Sequence, residues 1–143
     1  MAVQAPNNGI RPLEPKVMVL DDNLPVYELY CTVLSSEGFD VESLQLLSDM
    51  PHWEELAPFD ILITELIVDG RETLSLIKEV KSRYPETYVI VATRYDIADD
   101  IYPTLFAQGV DDVLSKPFSN QVLLASLTQA VGCNGTLHPR FLN

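Results

Sequence analysis

Short apolar runs rich in β-branched residues alternate along this chain with longer segments whose apolar positions recur at helical spacing. Residues 16–20 (KVMVL) carry no polar alternation, the pattern of a strand buried on both faces of a parallel sheet. Pro25 suits the first turn of a helix that places Leu29, Val33 and Leu34 on one face and stops at Gly38. The unit then repeats. Residues 39–44 predict a strand, and Ser48 with Pro51 opens a helix through Leu56. Residues 59–66 (FDILITEL) predict a third strand, followed from about Arg71 by a helix with Leu74, Ile77 and Val80 on one face. Residues 87–93 (TYVIVAT) are the most strand-like stretch.

Pro103 is tolerated only in a first turn, so the next helix is expected to start near Tyr102, after a long loop over 94–101, and to end at Gly109. A short strand at 112–114 follows, and Ser119 caps a last helix that runs to Val131 and Gly132. Five strands alternating with five helices predict an α/β fold, a doubly wound five-stranded parallel sheet with helices on both faces. Residues 1–15 and 133–143 lack apolar periodicity and are expected to be flexible tails around a domain at 16–132.

Ligands of such sheets sit outside the carboxyl ends of the strands, at the switch in strand order. The residues there are Asp21, Asp22, Glu65, Thr93, Arg94 and Lys116. Three acids, a hydroxyl and a lysine suit a hard cation beside an oxyanion. Asp21 and Asp22 offer oxygen ligands for weak Mg²⁺ binding, Thr93 a hydrogen bond to a phosphoryl oxygen, and Lys116 a compact positive charge.

Charge and composition narrow the function. Twenty-one Asp and Glu against nine Lys and Arg leave a net charge of −12, which repels nucleic acid and anionic lipid. No apolar run approaches the ~20 residues of a membrane helix, and the N-terminus carries no secretory pattern, so a cytoplasmic location is expected. Cys31 and Cys133 form no metal or disulfide motif. An enzyme reading is disfavoured. The loop DDNLP is acidic rather than glycine-rich and cannot cradle a phosphate, and neither His52 nor His138 falls at a strand end.

Taken in order, these motifs resemble the response-regulator receiver domain (CheY-like, with a flavodoxin-like fold) of two-component signalling. The acidic pair Asp21 and Asp22, the lead FDILITE, Thr93, and GVDDVLSKPF with Lys116 carry the likeness over about residues 15–131. The resemblance places Glu65 at the phosphoacceptor position, where the family has aspartate, and makes Thr93 and Lys116 the phosphate-contacting switch residues. It also implies protein partners, a sensor histidine kinase or a downstream effector, met through the face of the fourth helix, fifth strand and fifth helix. A homodimer is left open. The segment after Val131 is too short for an effector domain, so output is expected from a partner.

Four departures from the family shape the expectation. Glutamate moves the carboxylate outward by roughly 1.3–1.5 Å, into the space of an incoming phosphoryl group. ELIVDG is about three residues shorter than the usual loop, which makes the Ile67 carbonyl a doubtful metal ligand. Arg94 replaces a small residue and is placed to cover the pocket or pair with Glu65 or Asp22. Val113 replaces the switch aromatic, for which Tyr95 or Tyr102 are the candidate substitutes. The expected function is therefore an atypical stand-alone receiver that acts by protein contact without ordinary aspartyl phosphorylation, with Lys116 and Glu65 in a direct ion pair. The alternative is a phosphorylatable response regulator in a phosphorelay, accepting on Asp69 or another acid.

Overall fold

A computed structural model describes residues 15–44 and 58–133. Most of both tails, at 1–14 and 134–143, and the helix expected between Ser48 and Leu56 lie outside the described residues. The elements run β1 (Lys16–Leu20), α1 (Leu24–Ser36), β2 (Asp40–Leu44), β3 (Ile61–Thr64), β4 (Ile67–Val68), β5 (Arg71–Glu72), α2 (Leu74–Arg83), β6 (Tyr88–Thr93), α3 (Tyr102–Ala107), β7 (Asp112–Ser115) and α4 (Asn120–Cys133). Pro15 is buried and its carbonyl accepts from the Asp40 amide, while Cys133 closes α4.

Five strands form one parallel sheet in the order β2-β1-β3-β6-β7. The order reverses between β1 and β3, so the carboxyl ends of those strands form the crevice where doubly wound sheets hold ligands. Successive side chains point to opposite faces. Val17, Val19, Ile61, Ile63, Ile90 and Ala92 therefore pack on one face with Tyr30, Leu34, Leu123 and Leu127 of α1 and α4. Met18, Leu20, Leu62, Val89 and Val91 pack on the other with Ile77 and Val80 of α2 and Leu105 of α3. Both faces are covered, which is why these strands read as unbroken apolar runs.

Two local details depart from the sequence reading. On α1 the buried residues are Tyr30, Val33 and Leu34, whereas Leu29 is 40% exposed. The segment after β3, read as a shortened loop, closes as a two-stranded antiparallel hairpin pairing Ile67 with Glu72 and Val68 with Arg71. Asp69 (φ 53°) and Gly70 (φ 74°) make its turn, both in the left-handed region. That is the two-residue Asp-Gly turn whose twist matches the strands it joins, and glycine takes it without a Cβ penalty. The segment is also anchored from α2. Buried Thr73 donates its hydroxyl to the Glu65 carbonyl (2.7 Å) and its amide to the Leu66 carbonyl (2.9 Å).

The long loop before α3 and the entry of that helix at Tyr102, with proline in its first turn, stand as expected. At the other end of the molecule Ser119 accepts from the Val122 amide (3.1 Å) and opens α4. No helix among the described residues is long and apolar enough to cross a membrane.

Candidate functional site

Three strands deliver the charged centre. Asp21 follows β1, Glu65 follows β3 and Lys116 follows β7, so parallel pairing alone brings them to one edge. Asp21 and Glu65 are 2% and 3% exposed, and the lysine between them is 12% exposed. Its Nζ lies 2.6 Å from Asp21 Oδ2 and 3.3 Å from Glu65 Oε1. The expected lysine–glutamate contact is thus present, but Asp21 holds the shorter bond.

Both carboxylates accept from further donors. Asp21 Oδ1 accepts from the Asn23 amide (2.9 Å), and Asn23 in turn caps α1 by accepting from the Val26 amide (3.2 Å). Glu65 Oε2 accepts from the Leu66 amide (2.8 Å), and Oε1 accepts from the Arg94 amide (3.1 Å) as well as from the lysine. Buried carboxylates persist only when paired and hydrogen-bonded in this way. The Lys116–Pro117 peptide bond is cis.

Asp22 is exposed. Its Oδ2 accepts from the Asp69 amide (2.9 Å), tying the β1 loop to the hairpin tip. Thr93 is buried, and its hydroxyl oxygen accepts from the Tyr95 amide (3.0 Å). Of the two expectations for Arg94, its place in the cavity lining agrees with a pocket cover, and among the described residues its guanidinium pairs with no carboxylate. It donates to the Tyr95 hydroxyl (2.9 Å) and lies over that ring, 5.1 Å from the centroid. That hydrogen bond, more than the fields of Glu65 and Asp22, raises the guanidinium pKa above its ordinary value. Asp111 and Asp112, the acids of GVDD, serve the scaffold. Asp111 accepts from the Val89 amide (2.8 Å) and pairs with Lys81 (2.7 Å), and Asp112 accepts from Ser126 (2.5 Å).

The sequence reading missed Tyr30. It is fully buried, its ring stacks on Phe118 with centroids 6.2 Å apart, and its hydroxyl has no hydrogen-bond partner among the described residues. Burial, and then the fields of Asp21 and Glu65, push its pKa well above the ordinary tyrosine value. A cavity of about 330 Å³ opens above the charged centre. Val26 and Leu29 of α1 face Pro117 and Phe118 across it, and Asp22 and Arg94 stand among its lining while Thr93 does not. The helical spacing of Val26, Leu29 and Tyr30 was visible in the sequence. Which of them faces the core is set by the rotation of α1 on the sheet.

The charged centre does not fit a resident Mg²⁺ in this arrangement. Asp21, expected to be a ligand with Asp22, engages both oxygens with Lys116 and Asn23, and one oxygen of Asp22 already accepts from the hairpin. Among the described residues no three His, Cys, Asp or Glu side chains are grouped to hold a metal ion.

Residues 17–128 match the response regulator receiver domain family. The transcriptional regulatory protein CpxR homolog of Haemophilus influenzae is 34% identical over an alignment of 116 residues that covers 78% of this chain and 48% of that protein. The chain thus spans about half the length of this curated relative. The CheY-like response regulator receiver domain protein of Methanospirillum hungatei JF-1 superposes with a TM-score of 0.78 at 17% identity, over 86% of this chain and 98% of its own. A response regulator from Thermotoga maritima gives 0.74 at 24% identity, over 84% and 99%. These two structures have the same doubly wound fold.

Proposed function

From the premise that this chain belongs to the response regulator receiver family of two-component signalling, we propose that it signals by protein contact without ordinary aspartyl phosphorylation and is not itself an enzyme. One observation carries this reading. The Glu65 carboxylate is buried and takes hydrogen bonds from the Leu66 amide, the Arg94 amide and Lys116. An acceptor carboxylate needs room for an incoming phosphoryl group in line with its oxygen, and donors free to receive the new charge. Glu65 stands where the family's acceptor is expected, and its own oxygens fill those donors. The site therefore holds a permanent anion in the position of a phosphorylated one.

The partner in this proposal is a sensor kinase or a downstream effector, met through α3, β7 and α4. Phe106 and Val122 on those helices are each 47% exposed and Ile101 before α3 is 44% exposed, apolar area that favours protein docking. The net charge of −12 opposes nucleic acid as the partner, and a cytoplasmic location belongs to the same proposal.

A second reading, an ordinary phosphorelay component, draws support from the name of the Haemophilus influenzae relative and from the exposed Asp69 at the hairpin tip. Intact-mass measurement after acetyl phosphate with Mg²⁺ separates the two. The mass is expected to stay unchanged. Stoichiometric addition of one phosphoryl group would sink the first reading, and peptide mapping would then assign it to Asp69 or another acid.

A further inference from the structure

We infer that the cavity beside the charged centre is a binding site for a small amphiphilic cation, a protonated amine carried on a compact apolar body. The inference rests on the reading above in one respect, that the cavity is not needed for a phosphoryl group.

The shape comes first. About 330 Å³ lies at the low end of small-molecule sites, roughly 300–1,000 Å³, so it suits a compact ligand rather than a nucleotide. One wall is apolar and partly open to water. Val26 and 40%-exposed Leu29 come from α1, and Pro117 and Phe118 come from the turn after β7. Phe118 is backed by the buried Tyr30 ring, which fixes an aromatic surface against the space. Leaving this apolar wall in water is unfavourable, which an apolar ligand body would relieve.

The charge selects the sign. Asp21, Asp22 and Glu65 against Lys116 and Arg94 leave the lining one negative charge in excess. The two cations are committed, Lys116 to Asp21 and Glu65, and Arg94 to the Tyr95 hydroxyl and ring. Among the described residues, Asp22 is the lining carboxylate without a salt bridge, and its Oδ2 accepts from the Asp69 amide. It stands exposed beside the apolar wall, where a ligand ammonium can pair with it. The chain's net charge of −12 raises the local concentration of cations and lowers that of anions.

The test is an amide-resolved NMR titration of the full chain with phenethylammonium, with neutral phenethyl alcohol and anionic phenylacetate as matched probes. Phenethylammonium is expected to give saturable shifts centred on Val26, Leu29, Glu65 and Phe118. The alcohol should bind about threefold to fivefold more weakly, the worth of one partly exposed charge pair, and phenylacetate not at all. Asp22→Asn keeps an oxygen for the Asp69 amide but removes the charge. It should weaken the amine by that same factor and leave the alcohol unchanged, while Leu29→Ser should weaken both. Both positions are exposed, and a thermal melt checks that each variant is folded. Non-saturating shifts, shifts on another surface, or phenylacetate binding as well as the amine would overturn the inference. The acetyl phosphate measurement keeps the two ideas apart. Protein that is labelled yet binds the amine contradicts only the phosphorylation reading, and unlabelled protein that ignores the amine contradicts only this one.

Discussion

Two stretches of the same sheet edge are built on opposite terms. Where β1, β3 and β7 end, Asp21, Glu65 and Lys116 are nearly inaccessible to water, and each carboxylate oxygen among them has a donor. Past the end of β6, residues 94–101 run through solvent. Arg94 and Tyr95 hold each other, Ile97 is half-buried, and a turn bond from the Ile101 amide to the Ala98 carbonyl (2.9 Å) leads into α3. Burial makes the difference. A charge taken from water needs every oxygen and proton matched, so the first stretch has one workable arrangement. An exposed charge is matched by water whatever it touches, so the second is held by local contacts of little net energy.

The largest expected effect lies in the buried stretch. Lys116→Ala strands two buried carboxylates and should cost up to about 3–5 kcal/mol in denaturant melts. Arg94→Ala is its counterpart in the exposed stretch and should stay within about 0.5 kcal/mol. Equal losses would erase the contrast between them. Glu65→Gln comes next. A glutamine has one acceptor oxygen, so its amide nitrogen would face one of the N–H donors that Glu65 now accepts. A loss of about 1–2 kcal/mol is expected, since one buried donor goes unsatisfied. A neutral outcome in the same melts would show that the pocket does not require an anion.

Tyr30→Phe tests a flaw within the well-matched stretch. It removes a buried hydroxyl without a partner and should stabilise the fold by about 1 kcal/mol near neutral pH. The pH dependence follows from the raised pKa. Burial and the two carboxylates keep the folded tyrosine protonated while the unfolded one ionises near its ordinary value of about 10. Its contribution to stability is thus fully present below pH 10 and is lost as pH rises beyond it. Urea melts between pH 7 and 11 should show the wild-type protein losing more stability above pH 10 than the phenylalanine variant. Parallel curves would mean that water already reaches the hydroxyl.

The smallest effect is dynamic. With Val113 in the place of the switch aromatic and Tyr95 engaged by Arg94, one conformation is expected across Thr93, Tyr102 and Val113. Relaxation-dispersion NMR should find no concerted millisecond exchange there. Such exchange, shared by all three residues, would make the exposed stretch a two-state element and the buried one its bias.

Much of this edge was legible before any coordinates. An apolar run without polar alternation marks strands covered on both faces, and a parallel sheet must gather its strand-end residues at one edge. That placed Asp21, Glu65 and Lys116 together. Pro103 located the start of α3 and Ser119 the start of α4, because ring sterics and cap hydrogen bonds act within a few residues. The β4–β5 hairpin belongs to the same class, because its turn is the local Asp-Gly pair at Asp69 and Gly70.

Partner choice was not legible. Asp21, rather than Glu65, has the shorter bond to Lys116, Arg94 prefers Tyr95 to a carboxylate, and Tyr30 rather than Leu29 faces the core. Backbone sterics and periodicity are local and repeat along the chain, so the sequence by itself determined the elements and their order. A choice among like charges, or between adjacent helix positions, turns on differences of about 1 Å and a few tens of degrees. Only the packing of α1, β3 and β7 against one another decides distances that small.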